Sequence, residues 1–317
     1  MKPTVKDEMN GIIDRYIHVQ ELNELMKSFV AVRAESGTKW GGLVETSHRM
    51  LGGNCPQIER AAALAELIML TLDIVDDLQD RDKLHKAWMT CPEPFTLNAV
   101  LGFQAAFAAE IGLLQQELGQ GSRLSIIEVN RLIALAVNGQ QCDLSSDVRI
   151  QDEADYFAMV QHKSGSLIRL ACYLGYSLAG DAAEQAAEQL NELASCLGVV
   201  AQIENDVNNL IQFDNQNDIL QKKRTLPILH LLSYSEREFA PLMQFYGGTI
   251  GEEQFLQHKA GCLAFIRDSG CIEYAKVVQS FYYDRLEQLY ESIPGVAPWK
   301  ERFKETAFAS FGIVQTV

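Results

Sequence analysis

The chain has 317 residues, 47% of them hydrophobic, an ordinary globular composition with enough length for one large core or two domains. Its net charge of -15 argues against non-specific nucleic-acid binding and against a broad basic face for membranes. The opening residues, Met1 to Asp7, contain no apolar run that would mark a signal peptide, and no uninterrupted apolar stretch reaches the length of a spanning helix. The 7 cysteines are odd in number and scattered, with no C-x-x-C pair, which predicts reduced core thiols and a cytoplasmic protein. Proline is scarce, at 8, and long stretches lack both proline and β-branched runs, so the chain is predicted to be all-α and a single domain over 1–317.

Residues 1–50 read as one or two helices, with Ile12, Ile13, Tyr16 and Ile17, then Leu22, Leu25, Met26 and Phe29, at helical spacing. Gly41-Gly42 and Gly52-Gly53-Asn54-Cys55-Pro56 interrupt the pattern. An apolar run from Ala61 to Leu72 then leads into Asp76-Asp77-x-x-Asp80. A loop at Thr90 to Pro94 precedes a helix predicted over Leu97 to Leu118, and Gly119 to Ser122 ends it. Ser125 to Asn138 is helical and runs into Gly139-Gln140-Gln141-Cys142-Asp143-Leu144. Asp152 to Ala179 reads as one helical stretch containing His162-Lys163-Ser164-Gly165-Ser166-Leu167, closed by Gly180-Asp181. Ala182 to Leu210 is a long helical pattern, Asn215 to Asp218 a polar break, and Lys222-Lys223-Arg224-Thr225-Leu226-Pro227 follows it. From 228 to 317 helical patterns alternate with short glycine breaks, with no repeat period and no low-complexity segment.

Two polar constellations interrupt these apolar helices. Asp76 and Asp80 stand at i and i+4, on one face, at the end of a helix where the dipole disfavours negative charge. A cation offsets both costs, and oxygen ligands of this kind suit Mg²⁺, which keeps waters and takes further oxygens from phosphates. A merely solvated acidic helix end is the alternative. The second constellation is Gln202, Asn205, Asp206 and Asn209, spaced along one side of a helix, with amides as weaker Mg²⁺ ligands than carboxylates. A helix end fraying into a polar loop is the alternative there. Lys163 and Lys223 are candidate cations for a diphosphate, solvated lysines being the commoner fate of that residue type.

Taken together these pieces resemble the trans-isoprenyl diphosphate synthase (polyprenyl synthase) family over most of the chain. Asp76-Asp77-x-x-Asp80 is similar to its first aspartate-rich motif, Gly139-Gln140-x-x-Asp143-Leu144 to its G-Q-x-x-D-L element, and Lys163-Ser164-Gly165-Ser166-Leu167 to its K-T-x-x-L element. Gln202 to Asn209 stands where the family has F-Q-x-x-D-D-x-x-D, and Lys223-x-Thr225-Leu226-Pro227 matches the end of its G-K-x-T-L-P. The resemblance implies an all-α isoprenoid-synthase bundle around a deep cavity, with the two acid clusters facing each other across it. It implies three Mg²⁺ ions holding an allylic diphosphate, through Asp76, Asp80 and the auxiliary Asp77 at one cluster and Asp206, Asn205 and Asn209 at the other. Lys163 and Lys223 would then contact the diphosphate, Gln140, Asp143 and Gln202 would line the wall, and the prenyl tail would run past Thr71 and Ile68. A homodimer is implied as well.

The departures carry as much meaning. Where the family has G-G-K-R-x-R-P, this chain has Gly52-Gly53-Asn54-Cys55-Pro56-Gln57, and the segment Arg81 to Met89 holds no Arg-Arg pair. The cations that grip isopentenyl diphosphate are missing, while the donor half is kept with a reduced second motif. That pattern is similar to a bacterial branch whose isoprenyl transferases modify a tryptophan of a quorum-sensing pheromone precursor, as are Trp88-Met89 followed by Leu97-Asn98-Ala99, and Lys222 to Pro227. A geranyl or farnesyl donor and a short tryptophan-bearing peptide acceptor are therefore expected. The rival readings are a chain-elongating synthase, a non-catalytic small subunit, and a class I terpene cyclase; the last is weakened because Asn209 and Phe213 replace its Ser and Glu.

Overall fold

The computed structural model describes residues 1–35, 37, 39–81, 83–119, 122–180, 182–212 and 217–311, and among these there is no strand. The helices run α1 (Pro3–Tyr16), α2 (Gln20–Glu35), α3 (Lys39–Met50), α4 (Ile58–Asp80), α5 (Ala87–Thr90), α6 (Glu93–Leu118), α7 (Ile126–Leu144), α8 (Ser146–Arg149) and α9 (Glu153–Val160). A π-helical turn over Gln161–Gly165 follows, and then come α10 (Ser166–Tyr176), α11 (Ala182–Ile211), α12 (Leu226–Glu238), α13 (Ala240–Tyr246), α14 (Glu252–Leu256), α15 (Lys259–Asp268), α16 (Cys271–Ser292) and α17 (Trp299–Ser310). The all-α expectation holds. Residues 1–50 form three helices where one or two were expected. Of the expected breaks, Gln120, Gly121, Asp181, Asn215 and Gln216 lie outside the described residues, as do Asp82 and Phe213.

The chain divides into two compact units. Unit 1 contains Met1–Ile133, Leu167–Glu192 and Glu291–Ser310, and unit 2 contains Ala134–Ser166 and Leu193–Tyr290. In unit 1, α4 is the core helix. From Ile58 to Thr71 every residue but Glu59 is buried, as suits a helix that is apolar all round rather than on one stripe. Helices α1, α3 and α6 pack on it, and α17 returns against α3. Its buried Glu66 accepts hydrogen bonds from the backbone N–H groups of Trp40 (3.0 Å) and Gly41 (2.8 Å), satisfying two orphan donors at the start of α3 with a well-placed anion.

Helix α6 is long and apolar enough to cross a membrane, which the expectation of no spanning run did not foresee. Its buried Glu110, however, accepts from Tyr16 (2.9 Å) and pairs with Arg15 and Arg60, tying α6 to α1 and α4 within unit 1.

Unit 2 holds two apolar clusters. One centres on Leu210, Ile228, Phe245 and Phe255, the other on Tyr156, Val160, Ile203 and Val207. The stretch expected as a single helix over Asp152 to Ala179 is divided into α9, the π turn and α10. π turns of this kind recur at functional sites, and this one carries Lys163 and Ser164.

Candidate active site

In unit 1 the acids occupy the last turn of α4, which stops where Arg81 takes a left-handed conformation (φ 52°). Asp76 and Asp80 are half-buried on one face. Asp77 points the other way: it is 1% exposed, its Oδ1 accepts from Lys83 Nζ (2.6 Å) and its Oδ2 from the indole Nε1 of Trp88 (2.8 Å). Both of its oxygens are thus engaged within the unit. Asp73, one turn earlier, was not singled out from the sequence. It pairs with Arg33 Nη1 (2.6 Å), whose Nε also reaches Glu66 (3.1 Å). Desolvation raises its pKa, and Asp77 and Asp76 add to the rise against the pull of Arg33 and Lys83. Its spacing of three and seven residues from Asp76 and Asp80 was the signal that could have found it. Lys39 lies close by, pushed down to about 8 chiefly by burial. Ile68 and Thr71 are packed inside the unit, and the Thr71 hydroxyl donates to the Leu67 carbonyl (2.7 Å).

The Gly52-to-Pro56 loop before α4 is pinned by one imidazole. His48, wholly buried, contacts the Gly175 carbonyl through Nδ1 (3.1 Å) and accepts the Cys55 N–H at Nε2 (3.0 Å). A Cβ on Gly53 would lie 2.3 Å from the ring, so only glycine lets the loop lie so close. The sequence reading missed His48, since a lone histidine carries no spacing signal. No cationic side chain occurs between Gly52 and Gln57.

In unit 2 two backbone approaches bring the second constellation together. A Cβ on Gly139 of α7 would meet the Lys163 backbone N at 2.2 Å, and one on Gly198 of α11 would meet Gly165 Cα at 2.9 Å. One helical turn beyond each glycine lies a polar contact with the π turn. Asp143 accepts from Lys163 Nζ (2.6 Å), and Gln202 Oε1 accepts from the Ser164 hydroxyl (3.1 Å). Lys223 Nζ lies 3.7 Å from the same Asp143 oxygen. Burial would raise the Asp143 pKa, but the two lysines outweigh it and hold the carboxyl below its ordinary value. Gln140, beside Gly139, is half-buried.

Asp206 is buried, with Oδ2 accepting from Tyr156 OH (2.6 Å) and Oδ1 from Gln202 Nε2 (2.8 Å). Burial and then Asp218 push its pKa up to about 7, against the donors Tyr156 and Gln202. Asn205 and Asn209 are the exposed members of the motif. Asp218, expected only as the end of a polar break and not as a site residue, is 3% exposed, is pushed to about 6 chiefly by burial, and has an Oδ2 with no hydrogen-bond partner. Tyr156 and Asp218 lie outside the quoted motifs, so only packing reveals them.

The donor set fits Mg²⁺. In unit 1 Asp76 and Asp80 present carboxylates on one face of α4, and in unit 2 the buried Asp218 has an Oδ2 with no hydrogen-bond partner; all are hard oxygen donors of the kind that ion takes. No three His, Cys, Asp or Glu side chains among the described residues form a ready cage.

Comparison with known proteins bears on these features. The polyprenyl synthetase family profile matches residues 32–258. The tryptophan prenyltransferase ComQ of Bacillus subtilis (strain 168) is 26% identical over 305 residues, which are 94% of this chain and 95% of that protein. ComQ of Bacillus subtilis subsp. natto is 26% identical over 91% of this chain and 87% of its own length. The geranylfarnesyl diphosphate synthase of Aeropyrum pernix is 26% identical over 78% of this chain and 80% of its own. Among solved structures, the geranylgeranyl pyrophosphate synthase of Lactobacillus brevis superposes with a TM-score of 0.78 at 17% identity, covering 98% of this chain and 96% of that one. A decaprenyl diphosphate synthase from Rhodobacter capsulatus gives 0.77 at 17% identity over 98% and 96%.

Proposed function

The chain belongs to the polyprenyl synthetase family and is a prenyl-transferring enzyme, and from that premise we propose that it moves a geranyl or farnesyl group from its diphosphate to a tryptophan of a quorum-sensing pheromone precursor peptide. The observation that carries this reading is an asymmetry within unit 1. The acid turn is intact, while the Gly52-to-Gln57 loop offers neutral groups only. An acceptor with a diphosphate needs cations there; an indole does not. The ComQ relatives, tryptophan prenyltransferases by name, support the same acceptor chemistry.

Breaking the allylic carbon–oxygen bond leaves charge on diphosphate, a poor leaving group until that charge is neutralised. Mg²⁺, when bound, supplies Lewis-acid neutralisation of the diphosphate oxygens. In unit 1, Asp76 and Asp80 would hold it, with Asp77 turned inward as their support. In unit 2, Asn205 and Asn209 would be its weak ligands, with Asp206 held behind them by Tyr156 and Gln202. Lys163 and Lys223, aligned by Asp143, would accept the leaving diphosphate as hydrogen-bond donors. Gln140 is assigned to the substrate wall, and Ile68 and Thr71 to the course of the prenyl tail. The indole π-system is the nucleophile that captures the allylic cation, and the cationic adduct then loses one proton, for which the departing diphosphate is an acceptor. A cytoplasmic homodimer is the assembly proposed.

The test is mass spectrometry of reactions given geranyl or farnesyl diphosphate with either isopentenyl diphosphate or a tryptophan-bearing peptide. A peptide heavier by one prenyl group is the expected product. Efficient isopentenyl-dependent elongation with no peptide adduct overturns the reading in favour of a chain-elongating synthase.

A further inference from the structure

The cation-facing acids sit on the turn of α4 that the helix itself holds least. The last four carbonyls of a helix have no intrahelical partner. Negative side chains at that end oppose the dipole, and Asp76 and Asp80, four residues apart, repel each other, as do Asp73 and Asp77. Left alone, this turn would fray. A pair of carboxylates that binds one ion needs the opposite, a fixed spacing.

What holds the turn is the acid that faces inward. Asp77 is bound on both oxygens, by Lys83 and by Trp88. The two donors differ in kind. Lys83 is 50% exposed at its side chain, on a long flexible stem, and supplies charge more than direction. Trp88 is 4% exposed and is itself fixed on two sides: the Thr96 hydroxyl of α6 donates to its carbonyl (3.0 Å), and the Phe29 ring of α2 meets its indole edge-on at 5.9 Å. A rigid donor on a separate element thus reaches α4 at its weakest turn.

We propose that Trp88 is the positioning residue of the acid turn: its indole N–H holds Asp77 inward and thereby fixes Asp76 and Asp80 as the cation-facing pair. This rests on the reading of Asp76 and Asp80 as Mg²⁺ ligands. Removing the N–H leaves one buried Asp77 oxygen without a donor. The carboxylate then gains by turning toward Lys83 or water, and the turn that spaces Asp76 from Asp80 moves with it.

The test needs no turnover. Mg²⁺ is titrated into the protein with inorganic pyrophosphate, followed by calorimetry and by tryptophan emission. In the wild type, binding is expected to change the emission, because one indole is bonded to the motif. Trp40→Phe and Trp299→Phe keep that change, whereas Trp88→Phe loses it and needs at least tenfold more Mg²⁺ for half-saturation. Asp77→Leu, which removes the acceptor of the indole N–H and keeps Trp88, raises the requirement likewise, and the double variant is no worse than either single one. Should Trp88→Phe not fold, Asp77→Leu carries the test alone. Wild-type half-saturation in either variant, or an emission change that survives Trp88→Phe, overturns the proposal and leaves Trp88 a packing residue. A wild-type protein that binds no Mg²⁺ with pyrophosphate overturns the metal reading itself, and the proposal with it.

Discussion

Neutral His48 serves two backbone partners at once, and that sets a pH dependence. Its pKa lies below the ordinary 6.5, first because of burial, with Arg49 adding to the effect and the Gly175 carbonyl opposing it. The unfolded chain takes up the proton near 6.5 while the folded chain resists it. The stability this site contributes is therefore complete above about pH 6.5 and is lost as pH falls through that value towards the folded-state pKa. In His48→Gln, which keeps a donor and an acceptor, the urea midpoint should fall less than in the wild type between about pH 7.5 and pH 5. Parallel profiles for the two proteins would contradict the assignment. At the acids, Asp76→Ala or Asp80→Ala should abolish prenyl transfer with an unchanged circular dichroism spectrum; near-wild-type activity in either would remove the metal assignment. Carboxylates outrank amides as Mg²⁺ ligands, and Asn205 and Asn209 are exposed. Asn205→Asp or Asn209→Asp should accordingly lower the Mg²⁺ needed for half-maximal activity, and an unchanged or raised need in both would count against that cluster.

Between elements, close backbone approaches decide where the polar groups meet. Gly139 and Gly198 let α7 and α11 touch the π turn, and each stands one helical turn before a residue that contacts Lys163 or Ser164. Gly139→Ala places a Cβ 2.2 Å from the Lys163 backbone N, which no flexible side chain can relieve. The two segments must part, at a cost of about 1–3 kcal/mol, and the Asp143–Lys163 pair parts with them. A lowered melting temperature together with a larger fall in activity is expected. Gly11 in α1 is the contrast: a Cβ there meets nothing within 4 Å. Gly11→Ala should raise stability by about 0.5–1 kcal/mol and leave activity alone. Equal effects of the two alanines would show that the approach at Gly139 is not tight.

For the whole molecule, the question is which acceptor the protein serves. Losing two or three charge-assisted contacts to a diphosphate costs roughly 1.5–3 kcal/mol each. At about 1.4 kcal/mol per tenfold, that is a hundredfold or more in affinity. Isopentenyl diphosphate should therefore compete with a peptide acceptor only at concentrations at least about a hundredfold above those at which ordinary synthases use it. Inhibition at low concentration would show a cation site that the Gly52-to-Gln57 loop does not supply. EDTA should stop transfer and added Mg²⁺ restore it, whichever acceptor is used.

The sequence by itself determined the helical class, the long core helix and its acid turn, because apolar periodicity and i, i+4 spacing are local properties that one stretch of chain carries alone. It also located Lys163, Asp143 and Gln202, through motif order rather than periodicity. The i, i+4 spacing put Asp76 and Asp80 on one face and set Asp77 apart as an auxiliary acid, but it did not say what Asp77 would meet. That depends on Trp88, eleven residues on, and Trp88 is fixed by Phe29 and Thr96 on other helices. Nor did the motif around Asp206 indicate that Tyr156, fifty residues away, donates to its oxygen. Asp73, His48 and Asp218 acquire meaning only from partners or burial that folding supplies. The π turn that splits one predicted helix was not legible in its own residues either, and it is the segment that Gly139 and Gly198 approach closely from α7 and α11. Hydrogen-bond partners and close approaches are set between segments distant in the chain, and no local pattern encodes them; that is why tertiary structure alone assigned these residues their places.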